Sequence, residues 1–249
     1  MKLIASDFDG TVRTDEAGLA RDIAAIEKWK EAGNKFAIIS GRNAPQIRDI
    51  AIKYNIPADY VLGDSGNTCY VKDKLEYYHS SSAEPLKELY DLLIECKTYY
   101  IVVNCPKIAT VVFRDKADFG LSNNFGSIED FTEFTQVSAV FHSFDEAKAA
   151  AAAVNAKLGD KLCALQNFQC LDIVPDGRNK AVSVEYLASK LGIDEKDIYS
   201  VGDNFNDILM LDRFSSFVVE NAHDEVKTHA SMKVVPTVAD MIEYLLGNN

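Results

Sequence analysis

The strongest constraint on the fold is a set of short apolar runs separated by stretches of helical period. Leu3-Ile4-Ala5, Phe36-Ala37-Ile38-Ile39 and Tyr60-Val61-Leu62 are continuous but too short for helices. Runs of this kind mark strands buried on both faces, as in parallel sheets. Leu19, Ile23 and Ile26 fall at helical spacing, and Gly33 is placed to end that helix. Pro45 to Ile52 predicts a second helix, with the proline near its first turn. The order is therefore βαβαβ, an α/β fold with a doubly wound parallel sheet and right-handed crossovers.

The pattern changes near Ala83 and returns near Asp176. The intervening stretch predicts a helix from Pro85 to Cys96, strands at Tyr99–Val103 and Ala109–Phe113, and a short helix at Ile128–Phe134. A strand at Val137–Phe141, an Ala-rich helix from Phe144 to Leu158 and strands at Cys163–Leu165 and Cys170–Val174 follow. Hairpins mixed with helices predict an α+β insert. After it, a helical stripe (Ala181, Val184, Leu187, Ala188, Leu191) ends at Gly192, and strands are expected at Ile198–Val201, Phe217–Val219 and Val234-Val235. A short helix at Asn206–Leu211 and a closing helix at Ala239–Leu246 complete the reading. The division is a core of residues 1–82 and 176–249 around an insert of residues 83–175.

Composition narrows the function classes. A length of 249 residues suits one large α/β domain or two modest ones. A net charge of −12 argues against a nucleic-acid partner. No apolar run is long enough to span a bilayer, and no signal-peptide pattern opens the chain, so a cytoplasmic protein without a membrane partner is expected. Cys69, Cys96, Cys105, Cys163 and Cys170 include no C-x-x-C pair, which predicts reduced thiols rather than zinc ligands or a disulfide framework.

Chemistry concentrates where the predicted strands end. Asp7-Phe8-Asp9-Gly10-Thr11 follows the first strand, and ligands of open α/β sheets bind beyond the carboxyl ends of strands. Carboxylates two residues apart point the same way while strand geometry lasts. Asp and Gly are also ordinary turn residues. As a pair, one carboxylate can attack phosphorus while the other carries the proton of the leaving oxygen. A divalent cation would relieve their repulsion and neutralise an incoming phosphate. Ser40-Gly41-Arg42 follows the second strand and offers a hydroxyl and backbone N–H groups suited to a phosphate oxygen. Lys180 opens a helix after the turn Asp176-Gly177-Arg178-Asn179. Gly202-Asp203-Asn204-Phe205-Asn206-Asp207 follows the Ile198–Val201 strand with hard oxygen ligands of the kind Mg²⁺ takes.

These four stations, in this order and with a large insert between the second and third, resemble the haloacid-dehalogenase-superfamily phosphatases, specifically the Cof-like branch with a type IIB cap. The resemblance covers essentially the whole chain. It implies a Rossmannoid core with an inserted α+β cap, and Mg²⁺-dependent hydrolysis of a small phosphorylated metabolite, sugar phosphates first. It implies Asp7 as nucleophile, forming an aspartyl-phosphate, and Asp9 as the acid and base. The backbone N–H of Phe8, Ser40, Gly41, Arg42, Lys180 and Asn206 would hold phosphate or substrate, and Thr11 would orient the acid/base loop within the same site. The metal set implied is Asp7, Asp9 through its carbonyl, Asp203 and Asp207, the last either a ligand or an anchor for Lys180. Departures fall at Val12 and Arg13, at Ser65-Gly66 and at Glu220-Asn221-Ala222. The first and last bear on substrate size and charge. Candidate cap contacts are Asn104-Cys105-Pro106-Lys107, Asn123-Asn124 and Gln166-Asn167. A phosphomutase and a non-catalytic phosphate-ligand-binding protein are the alternatives, and a monomer or homodimer is expected.

Overall fold

The computed structural model describes residues 1–12, 15–115 and 124–247. Two sheets organise the chain. The larger has eight strands, ordered Lys233–Val235, Ser215–Val219, Ile198–Gly202, Leu3–Ser6, Lys35–Ile39, Tyr60–Gly63, Thr68–Val71 and Lys74–Tyr78. The first six run parallel, and the last two are antiparallel additions.

Alternation along each parallel strand sorts the core into two layers. Ile4, Phe36, Ile38, Val201 and Phe217 face one side and pack on Ile26, Trp29, Ile47, Met241 and Ile242. These come from the helices Glu16–Glu31, Ala44–Lys53 and Val238–Gly247. Leu3, Ala5, Ala37, Ile39 and Leu62 face the other side and pack on Val184, Leu187, Met210 and Phe214, around the helices Lys180–Leu191 and Ile208–Arg213. Each Leu, Ile, Val, Met or Phe side chain among these contributes about 1.5–3 kcal/mol on burial. The helix ends follow the sequence signals. Asp15, Asn43 and Asn179 cap N-termini with side-chain acceptors, and Gly33 and Gly192 take left-handed φ of 84° and 66° just past C-termini.

The second sheet has five antiparallel strands, ordered Leu162–Asn167, Cys170–Pro175, Gln136–Val140, Tyr100–Cys105 and Ile108–Arg114. Ile101, Val103, Val137, Ala139, Leu171 and Ile173 pack against the helices Leu86–Glu95 and Phe144–Leu158. The alanine run of the latter buries Ala147, Ala150 and Ala151, and Asn155 fixes its position by pairing with both the N–H and the carbonyl of Ala164. The intervening residues of the same strands face the first sheet.

Two expectations differ from the structure. The helix expected at Ile128–Phe134 is a single 3₁₀ turn, Ile128–Asp130, followed by the short strand Glu133–Phe134. Three apolar residues within seven suggested helical period, but Phe134 is instead drawn into the second core. The sheet also gains the antiparallel pair Thr68–Val71 and Lys74–Tyr78, which the parallel pattern did not predict. Among the described residues all five cysteines are unpaired, and no helix is long and apolar enough to cross a membrane.

The turn after Tyr60–Gly63 carries a buried acid. Asp64 is fully enclosed and accepts from the hydroxyls of Thr68, which opens a strand of the first sheet, and of Thr135, just before the Gln136–Val140 strand of the second. Burial pushes its pKa up to about 7, against those hydrogen bonds. The folded state therefore holds a proton that the unfolded chain has released, so stability falls as pH rises from 4 to 7. Asp64→Asn should flatten this dependence, with a gain over wild type at pH 8 on the order of 4 kcal/mol at most. Calorimetric unfolding at pH 5 and pH 8 checks it, and an equal pH slope in both proteins would refute it.

Candidate active site

Asp7, Ser40 and Asp203 follow three neighbouring parallel strands, Leu3–Ser6, Lys35–Ile39 and Ile198–Gly202, at their carboxyl ends. Asp7 is still fixed by the sheet, donating its N–H to the Val201 carbonyl at 2.9 Å. Lys180, in the first turn of its helix, is fully buried. Its ammonium donates to Asp7 Oδ1 and to Asp207 Oδ1, each at 2.6 Å. Asp207 is held from its other oxygen by the N–H groups of Asp203 and Asn204, both at 3.1 Å. Asp207 thus anchors Lys180 and closes the turn, with both its oxygens engaged by protein donors.

Carboxylate oxygens of Asp7, Asp203 and Asp207 lie within 4.8 Å of one another. Burial raises the Asp7 pKa well above the usual range, with Asp207 and Asp203 adding to the rise and Lys180 opposing it. Burial, then Asp207, pushes Asp203 up to about 7, although Thr11 and Lys180 pull the other way. Lys180 is held charged because Asp207 and Asp7 outweigh the cost of its burial. One ammonium among three carboxylates leaves excess negative charge. Hard oxygen donors with that excess fit a small divalent cation.

Gly10 closes the loop. Its φ is +87°, and a Cβ there would lie 2.3 Å from Asp203 Oδ2, so the loop reaches the acid cluster only without a side chain. Thr11 donates its hydroxyl to Asp203 Oδ1 at 2.8 Å, which commits it to the acid cluster. Asn221 donates to the Gly10 carbonyl at 2.7 Å and ties the loop down from a fourth strand end. Asp9 is half exposed and receives both arms of the Arg42 guanidinium, at 2.6 and 2.7 Å. That hydrogen-bonded pairing raises the Arg42 pKa against the effect of burial.

A cavity of about 430 Å³ lies between the sheets, with Asp7, Asp9, Ser40, Gly41, Arg42 and Asn206 on its floor. Asn104 and Asn167 belong to its roof, whereas Gln166 spends its amide on the carbonyls of Phe144 and Phe168. Asn124 bonds Thr110, and Arg13 and Asn123 lie outside the described residues. Asp172 and Gln136 are additions that motif reading did not supply. Asp172 Oδ2 accepts from Asn206 Nδ2 at 2.9 Å, and Gln136 donates to the Gly41 carbonyl at 2.7 Å. A lone carboxylate inside the apolar run Leu171–Val174 was the available signal.

A family model of haloacid dehalogenase-like hydrolases matches residues 4–242. The chain belongs to that family. Among curated relatives, the pyridoxal phosphate phosphatase YbhA of Escherichia coli is 26% identical over 97% of this chain and 96% of its own. A HAD/COF-like hydrolase from Plasmodium vivax superposes with a TM-score of 0.84 at 22% identity, over 100% of this chain and 96% of that one. The subclass IIB sugar phosphatase BT4131 superposes with a TM-score of 0.81 at 18% identity, covering 100% of this chain and 99% of its own. In this family's chain, the expected Rossmannoid core is the eight-stranded sheet, and the second sheet lies in the interval where a IIB insert was expected.

Proposed function

We propose that this hydrolase cleaves phosphate monoesters of a small metabolite through an aspartyl-phosphate on Asp7, with the second sheet serving as the cap. One observation carries the reading. Asp7, bonded to a buried Lys180 and beside Asp203, opens onto the same cavity as the half-exposed acid Asp9. A carboxylate oxygen of Asp7 would attack phosphorus while the ester P–O bond breaks and Asp9 gives its proton to the leaving oxygen. Asp9 would then take a proton from water as that water attacks the phosphoryl group, freeing Asp7 and inorganic phosphate. Lys180, Ser40 and the Gly41 backbone would neutralise phosphate oxygens. Mg²⁺, held by Asp7, Asp203 and the Asp9 carbonyl, would supply charge neutralisation at the phosphoryl group.

Arg42 bridges the floor of the cavity to Asp9, so it competes with a leaving group for the acid. Substrate phosphate drawing Arg42 away would free Asp9 for proton transfer. Sugar phosphates are the first class to test, since the structurally similar BT4131 is a sugar phosphatase and the cavity is rich in amides. Phosphate release from a panel of phosphorylated metabolites, with Mg²⁺ and with EDTA, tests the reading. Release is expected with Mg²⁺ and should fall at least ~100-fold with EDTA. Metal-independent release of equal rate would refute the cation, and no release from any ester would refute the hydrolase.

A further inference from the structure

The cap face of the cavity is built from one register row and its neighbours. Val102, Ser138 and Asp172 lie opposite one another across three strands, flanked by Asn104 and by Val140 and Cys170. The hairpin tip adds Asn167, Phe168 and Gln169. Among the described residues that line the cavity, the cap supplies no cation, and the single cation of the floor, Arg42, is paired with Asp9. Asp172 is the cap's one carboxylate there.

Asp172 is also fixed. It is 3% exposed and receives Asn206 at 2.9 Å and Asn167 at 3.3 Å on one oxygen, with Gln136 at 3.4 Å on the other. Every one of those donors is neutral. Lys180 is the nearby cation that acts on it, and Lys180 is shared between Asp7 and Asp207. A Cβ on Gly41 would lie 2.2 Å from Asp172 Oδ2, so the carboxylate sits directly against the phosphate loop. Burial pushes its pKa up to about 6, which leaves it ionised at pH 7.5. A desolvated charge is poorly screened by salt, so it acts strongly on any charge brought beside it.

We propose that Asp172 selects substrates by charge: it admits phosphate monoesters whose leaving group is neutral or cationic and rejects those carrying a second phosphate or a carboxylate. This rests on the phosphomonoesterase reading. A hydroxyl or ammonium of the leaving group finds acceptors in Asp172 and Asn104. On the cap side a second anion finds amides, the Ser138 hydroxyl and a like charge, and no cation. The cost of that encounter in a partly dry cavity is roughly 10-fold or more in kcat/KM.

The test uses the full chain with Mg²⁺ and matched pairs on one carbon skeleton: a hexose 6-phosphate against the hexose 1,6-bisphosphate, and against the corresponding 6-phospho-aldonate. p-Nitrophenyl phosphate serves as the reporter of phosphatase chemistry. Wild type is expected to favour the neutral monoester by at least ~10-fold over either anionic partner. Asp172→Asn should collapse that ratio toward unity, whatever it does to the absolute rates. Should Asp172→Asn fail to fold by thermal unfolding, Gln169→Lys at the hairpin tip carries the test, because its added cation must raise the bisphosphate relative to the monoester. Wild type cleaving bisphosphate as well as monoester would overturn the assignment. An unchanged ratio in Asp172→Asn, or in Gln169→Lys where that stands in, would overturn it too. Failure of wild type on p-nitrophenyl phosphate and on every ester would instead remove the phosphatase reading, and the charge selection with it.

Discussion

Asp7→Asn is expected to lower phosphate release by roughly 10⁴-fold or more, since on the proposed mechanism it removes the nucleophile, and with it the first covalent step, rather than weakening that step. The isosteric amide keeps the shape of the strand end, where the Asp7 N–H bonds the Val201 carbonyl. It also relieves the crowding of three carboxylates, so the variant should unfold no earlier than wild type. Rapid-quench recovery of phosphorylated protein separates this outcome from a general loss of fit. Wild type should trap label on the chain during turnover, and Asp7→Asn should trap none while remaining folded. Full activity in the variant would remove Asp7 from its role.

Lys180→Met should be the most damaging single change to stability. The ammonium is fully enclosed and is the shared partner of Asp7 and Asp207, each at 2.6 Å. Removing one side of a buried ion pair leaves uncompensated charge and costs about 3–5 kcal/mol. The two carboxylates would recover part of that by binding protons, so the deficit should shrink as pH falls toward 5. Denaturant melts at pH 5 and pH 8 measure both effects. A variant as stable as wild type at pH 8 would mean that the cluster does not need this cation to fold.

Much of the architecture was legible in the sequence because its signals are local. Leu3–Ser6, Lys35–Ile39 and Tyr60–Gly63 announce themselves by apolar runs, and Asp7 and Ser40 directly follow the first two, whereas the strand before Asp203 is interrupted only by Ser200. The four stations gather because strands that are distant in sequence become neighbours in one sheet, with Leu3–Ser6 between Lys35–Ile39 and Ile198–Gly202. What escaped is what depends on partners elsewhere. Lys74–Tyr78 alternates between exposed and half-buried residues and has no buried run to betray it. Thr11 could be placed near the site, but its hydroxyl partner Asp203 lies 192 positions away. Asp172 and Gln136 have no motif at all, and their importance comes from meeting Asn206 and Gly41 across the two sheets. Asn221 follows Glu220, the residue that departs from the family's usual pattern, and only the fold shows that Asn221 secures Gly10.

The pairing of Asp7 with Lys180 spans 173 positions of the chain. Synthesis delivers the Asp7 carboxylate before the second sheet and its partner cation, Lys180, only after the whole second sheet has been made. The strand Ile198–Gly202, which seals the open flank of Leu3–Ser6, comes later still. Contacts of such long range form late, because the loop they close must be ordered first. The growing chain therefore carries an unfinished sheet edge beside Asp7 until Ile198–Gly202 has been made, and the same late strand both covers that edge and brings in Asp203. Covering that edge and assembling the acid cluster are one event.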